Sequence, residues 1–379
     1  MQINAMVREP YLTIDTKRKE SMIIHCLIII QGFIMKNSKG ILLRALLCFA
    51  LSYFLCAQFI TQPTVCSAKI YKVKEHKKPA GLKGEFIAYY DFQKKETTYY
   101  DKNEIPTKKF QKKMNYKPQK PDEKLIQRYK VKSVNTPTKL LNTNFTSDVN
   151  TTGTSLYSYL PDNRIKVSSS QINSFPYYSI CKLTMTFPDS PGYVTLGTGY
   201  ELWNKLCATA GHCLLNSNGK YFNSIKAEFG YNNGTCIYTA TDDDLAGYVL
   251  HGEFDGKNWS PEIDYAFLHW NKDIANNVGH FGISWSYSSG NTCLSAGYPS
   301  DKENGEYLCK STSTINSIDD CVIDSNNYCM PGQSGSPLYL PGGYAIGITS
   351  GNANDRSMFS VQLDNGITTW LNQNGYFDD

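Results

Sequence analysis

The chain has 379 residues, 41% of them apolar, 13% aromatic and 19% charged, which is ample for one or more folded cores and excludes a disordered polyelectrolyte. Its formal charge of +4 hides a segregation: residues 1–68 carry +4, residues 69–140 carry +12 and residues 141–379 carry −12. A basic run placed directly ahead of an acidic body points to a partner within the same chain and away from nucleic acid.

In chain order, residues 1–68 read as a leader. The apolar stretch from Met22 to Met35 contains His25 and Gln31 and is too short to span a bilayer. Ala45 to Ile60 is uncharged, follows Lys36, Lys39 and Arg44, and leads to the small residues Cys66-Ser67-Ala68. This is the pattern of a secretory signal peptide, for which Met35 is a natural start. A secreted product without a stable membrane anchor is expected; an uncleaved signal anchor is the alternative.

Residues 69–158 form a second segment. Lysine and tyrosine dominate it to residue 140, and threonine, asparagine and serine follow. High net charge and few aliphatic residues predict an extended or loosely folded stretch, held to the acidic body by salt-sensitive attraction. Residues 159–379 change texture. Short runs rich in Val, Ile, Thr, Tyr and Phe, such as Tyr177 to Phe187 and Tyr265 to Trp270, alternate with Gly, Pro, Asn, Asp and Ser. They predict an all-β sandwich or pair of barrels, with a short helix beginning near Thr368.

Four of the twelve cysteines, Cys26, Cys48, Cys56 and Cys66, lie in the leader. The other eight are Cys181, Cys207, Cys213, Cys236, Cys293, Cys309, Cys321 and Cys329. In an exported protein they predict up to four disulfides of undetermined pairing. The zinc alternative lacks any C-x-x-C pair, so no metal or other cofactor is expected. Asn144, Asn150, Asn233 and Asn258 lie in N-x-S/T tripeptides that can accept glycans.

Three separated motifs carry the chemistry. Thr209-Ala210-Gly211-His212-Cys213 supplies a histidine, Asp264-Tyr265-Ala266 an aspartate, and Pro331-Gly332-Gln333-Ser334-Gly335-Ser336-Pro337 a serine on a tight turn. Acyl transfer needs a serine nucleophile, an imidazole base and a carboxylate that fixes the ring's tautomer. No histidine follows Ser334, which excludes the Ser, Asp, His order of α/β-hydrolases. The amides of Gly332 and Ser334 are candidates for an oxyanion hole. Asp244 is the fallback for Asp264, although Asp242-Asp243-Asp244 reads more like a solvated loop.

These motifs, with Gly297-Tyr298-Pro299-Ser300-Asp301-Lys302 and Pro161-Asp162-Asn163-Arg164, resemble in order and spacing the V8-like (glutamyl endopeptidase) branch of secreted chymotrypsin-fold serine proteases. The resemblance covers about residues 160–375. It implies two antiparallel six-stranded β-barrels, a catalytic triad of His212, Asp264 and Ser334, protein or peptide substrates, and a basic propeptide. A catalytically inactive homologue serving as a binding module is the alternative, and neither a triad residue nor an oxyanion-hole glycine is missing to support it. Thr349, Ser350 and Gly351 are implied to bind substrate. Two positions depart from the pattern: Gln333 stands where trypsin-like relatives carry an acid that captures a new N-terminal amine, and Thr349 replaces the histidine with which glutamyl enzymes read substrate glutamate.

Overall fold

Among the described residues, alternating and doubly buried runs organise most of the chain into β-sheet. Val322–Tyr328 shows the two-residue period of a strand with one face covered, whereas Leu206–Thr209 is buried on both faces. A computed structural model describes residues 159–373 and 376–377, together with 71–73, 78–79, 82, 86–101, 117–121, 126–131 and 139–140. The expected signal peptide, the linker 141–158, Asn144 and Asn150 lie outside the described residues. Ser67–Asp379 makes up one compact unit.

The strands, in chain order, are β1 (Tyr71–Val73), β2 (Phe86–Asp91), β3 (Glu96–Asp101), β4 (Tyr129–Lys130), β5 (Lys139–Leu140), β6 (Ile165–Lys166), β7 (Ile180–Thr186), β8 (Tyr193–Trp203), β9 (Leu206–Thr209), β10 (Ser224–Phe229), β11 (Thr235–Cys236), β12 (Tyr238–Thr241), β13 (Leu245–His251) and β14 (Ala266–Trp270). The second half continues with β15 (Gly282–Ile283), β16 (Thr292–Gly297), β17 (Cys309–Asp319), β18 (Val322–Tyr328), β19 (Pro337–Leu340), β20 (Tyr344–Asn352) and β21 (Ser357–Gln362).

The later sheet closes on itself. The path β20-β19-β16-β17-β18-β21 returns to β20, giving a six-stranded antiparallel barrel with β6 beside β17. In the earlier sheet the order β13-β14-β9-β8-β7-β10 supplies six antiparallel strands, extended by β12 at one end. Their side chains share one core that includes Leu183, Met185, Phe229, Leu268 and Trp270. Among the described residues no ladder joins β13 back to β10 or β12; instead the outer edge of β13 pairs with β2. The expected helix spans Asn365–Gln373, and the Asp364 carboxylate accepts the Ile367 amide at 2.8 Å near its start.

The basic segment departs from expectation. Residues 86–101 are a hairpin, not a loose stretch, and register β2 against β13 from Asp91↔Gly247 to Ile87↔His251. The average composition of the segment conceals Phe-Ile-Ala-Tyr-Tyr-Asp and Glu-Thr-Thr-Tyr-Tyr-Asp, which have strong strand propensity. Phe86 and Ile87 are buried, Tyr90 and Phe92 pack on Tyr248 at 5.3 and 5.9 Å between ring centroids, and Tyr100 meets Trp370 at 5.2 Å. Among the described residues, Lys78–Glu253 at 3.5 Å is the ion pair that joins the segment to the body, and both its ends are exposed. Such a pair is worth at most about 1 kcal/mol, less than burying one large side chain at about 1.5–3 kcal/mol. A full chain nicked once within 141–158 is therefore expected to keep its basic segment in about 1 M salt. Co-elution on size exclusion checks this, and release by salt would restore the ionic picture.

The cysteines also differ from expectation. Cys181, Cys207, Cys213, Cys236, Cys293, Cys309 and Cys329 are buried thiols rather than halves of disulfides. Cys181, Cys207, Cys293 and Cys309 lie on β7, β9, β16 and β17, Cys236 on β11, Cys213 on the turn after β9 and Cys329 just after β18. Cys181 and Cys207 approach to 3.8 Å across β8. Among the described residues no helix is long and apolar enough to cross a membrane.

Candidate active site

His212 lies on the 3-10 turn Gly211–Cys213 at the end of β9, and Asp264 follows the turn Pro261–Ile263 just before β14. Since β9 and β14 are ladder partners, with Thr209 opposite Ala266, the two side chains emerge at the same rim. The Asp264 carboxylate is fully buried and accepts four hydrogen bonds. His212 donates twice, through its backbone amide to Oδ1 at 2.8 Å and through Nδ1 to Oδ2 at 2.7 Å. Trp259 Nε1 and Ser350 Oγ donate to Oδ2 at 2.9 and 2.5 Å. A carboxylate is acceptor-only, so Nδ1 carries the imidazole proton and Nε2 is left as a base. Burial alone would raise the Asp264 pKa, but the His212 charge and the hydrogen bonds from His212, Ser350 and Trp259 hold it below the ordinary value.

Ser334 sits on the turn between β18 and β19. Its carbonyl accepts from the Thr198 amide at 2.8 Å and from Cys213 Sγ at 3.8 Å, which sets the turn against β8 and against the residue next to His212. Gly332 and Gly335 have φ of +93° and +85°, and a Cβ on either would run into the carbonyl of Tyr298 or of Thr198. Within the turn, the Gln333, Gly335 and Ser336 amides donate to the carbonyls of Met330, Thr349 and Gln333. Among the described residues the amides of Gly332 and Ser334 donate to no backbone carbonyl, so the two expected donors are open.

The other candidates fall elsewhere. Asp244 closes a capping box with Thr241 and pairs with Lys272 at 2.6 Å, away from His212. His251 accepts the Glu253 amide, His269 contacts Tyr89, and His280 contacts Gln119. Of the three expected substrate-binding residues, Thr349 is fully buried with its hydroxyl on Met358 Sδ at 3.2 Å, and the Ser350 hydroxyl is turned to Asp264. Only Gly351 is partly open. Facing this strand is Tyr328-Cys329-Met330, tied across by Asn352 Nδ2 to the Cys329 carbonyl at 2.7 Å. Arg356, the cation next along the chain, lies over the Tyr159 ring at 5.5 Å. Trp259 and Ser350 are thus supports of the aspartate that sequence reasoning missed; a tryptophan five residues before the acid was the only local signal.

The family model described as Trypsin matches residues 165–363, more than half of the chain. A glutamyl endopeptidase of Bacillus licheniformis is 26% identical over 181 residues, 47% of this chain and 53% of that protein. An extracellular metalloprotease of Bacillus subtilis is 30% identical over 223 residues, 56% of this chain and 69% of that protein. The chain thus spans between half and just over two thirds of the length of these relatives. Among the described residues no three His, Cys, Asp or Glu side chains are grouped so as to hold a metal ion. Among solved structures, a Glu endopeptidase in complex with MPD aligns with 57% of this chain and 99% of its own at 20% identity and a TM-score of 0.49. The protease Anisep of Arthrobacter nicotinovorans aligns with 52% and 94% at 22% identity and 0.41.

Proposed function

The chain belongs to the trypsin family, and we propose that it is a secreted serine endopeptidase, made as a proenzyme, in which Ser334, His212 and Asp264 carry out acyl transfer. The observation that carries this reading is the buried Asp264 holding the His212 ring by Nδ1 at 2.7 Å, opposite a turn that leaves the Gly332 and Ser334 amides open. Ser334 Oγ attacks the scissile carbonyl as His212 Nε2 takes its proton. The oxyanion is received by the two open amides. His212 then returns the proton to the departing amine, and water repeats the sequence on the acyl-enzyme. The signal peptide pattern supports export, and the hairpin seated on β13 supports a pro segment of about residues 69–158.

A fluorophosphonate is the direct test. One label per folded chain, mapped by peptide mass to Ser334, is expected; a folded chain left unlabelled, or labelled elsewhere, refutes the reading.

The pocket before the scissile bond is expected not to favour glutamate strongly. A substrate carboxylate buried there would meet Thr349, which stands in place of the histidine of the glutamyl enzymes and whose neutral hydroxyl is already donated to Met358. Matched peptides with Glu, Gln, Leu, Phe or Lys at that position should give kcat/KM ratios of Glu to Gln below about 100-fold. A larger ratio would demand a charge reader.

A further inference from the structure

Gln333 stands where trypsin-like relatives carry an acid, and its side chain is buried at 1% exposure. Its Oε1 accepts from the Met330 amide at 3.1 Å and from Arg164 Nη1 at 3.0 Å. Arg164 comes from the first turn of the body, just ahead of β6, yet is only 4% exposed. Its guanidinium is fully committed: Nε and Nη2 to Asp162 at 2.9 Å each, Nη1 and Nη2 to Asp301 at 2.9 and 2.7 Å. The Tyr328 ring lies 4.7 Å from its central carbon, and Lys302 neutralises Asp162 at 3.0 Å. The loop of Asp301 reaches the same turn by backbone, since Ser300 donates to the Pro331 carbonyl through N at 2.8 Å and Oγ at 3.0 Å.

We infer that Arg164 is the positioning residue that sets the turn bearing the Gly332 and Ser334 amides, by gripping Gln333 from within the chain. The inference rests on the acyl-transfer reading of that turn. A planar fork anchored on two carboxylates has one remaining N–H direction, and here it fixes the side chain between the two open amides. The clamp needs no freed N-terminal amine, and the turn has this form in a chain that still carries its basic segment. Removal of that segment is therefore not needed to build the donor geometry, which is already present in the full chain. Trimming beyond Arg164 would dismantle it.

The test uses the full chain and fluorophosphonate labelling, with thermal unfolding as a check on folding. Gln333→Met keeps the Arg164, Asp162 and Asp301 contacts but removes the acceptor, and is expected to slow labelling per folded molecule about 10²-fold, the scale of one misplaced oxyanion donor. On peptide substrates the loss should fall in kcat, with KM little changed. Gln333→Glu restores the acceptor and is expected to recover most of the rate, a rescue that a purely structural role would not give. Arg164→Lys cannot fork to both carboxylates and the amide, and should slow labelling at least tenfold even if Gln333→Met does not fold. Wild-type labelling with unaltered rates in Gln333→Met, or in Arg164→Lys where the former is unfolded, overturns the inference. Absence of labelling in the wild type overturns the acyl-transfer reading instead.

Discussion

Ser334→Ala and His212→Ala should each lower kcat/KM on a cleaved peptide by at least about 10⁴-fold, and the double variant by little more. Without the hydroxyl there is no acyl-enzyme, and the base has nothing to deprotonate. Without the imidazole the hydroxyl stays a poor nucleophile and the leaving amine receives no proton. The two losses describe one missing step, so they do not add. Residual turnover would come from the open Gly332 and Ser334 amides and from substrate binding. Folding should survive in Ser334→Ala, because the turn is held by backbone contacts to Thr198, Thr349 and Ser300 rather than by the serine side chain. Fluorophosphonate labelling should vanish in that variant. Near-wild-type turnover by purified Ser334→Ala would remove the triad from consideration.

What the sequence makes legible follows from how local each constraint is. The Ser334 turn is readable because glycine is the residue that tolerates φ of +93° at 332 and +85° at 335. His212 and Asp264 are readable because the first follows and the second precedes a short apolar run at a barrel rim, where a polar side chain can meet a partner. Ser350 is not readable as a support: it lies 86 positions from Asp264, and only the fold brings its hydroxyl to Oδ2. Arg164 shows the same limit. Its motif marks the start of the body, but its grip on Gln333 spans 169 positions. The hairpin 86–101 is hidden for a different reason, since a charge averaged over residues 69–140 outweighs two aromatic strands whose partner edge, β13, appears only in three dimensions. Cysteine number predicts bridges, but all of the eight except Cys321 are buried thiols that pack as small apolar groups.

Asp264→Asn should leave a folded chain with kcat reduced by about 10⁴-fold, whereas Asp264→Ala should lose both activity and stability. The asparagine keeps the shape and one acceptor oxygen, so Trp259 Nε1, Ser350 Oγ and the His212 amide are not all orphaned. Its NH₂ group, however, is a donor facing Nδ1. The ring then answers with the other tautomer, and Nε2 carries a proton where a base is needed. Alanine removes every acceptor from a fully buried position and leaves the indole, the hydroxyl and the imidazole N–H without their partner. Unmet buried donors cost about 1–3 kcal/mol each, so a loss of about 3 kcal/mol or more is expected at neutral pH. The pH dependence of that loss has a definite sign. In the folded chain the carboxyl is held below its ordinary value, so on acidification the unfolded chain binds this proton first. The stabilisation is therefore fully present above about pH 4, the ordinary aspartate value, and is lost as pH falls through the depressed folded value. Urea unfolding of wild type and Asp264→Ala at pH 7 and near pH 3 should show a smaller gap between them at the acid end. A gap that widens on acidification would mean that the buried carboxyl is protonated in the native state, and so could not hold His212 as a base.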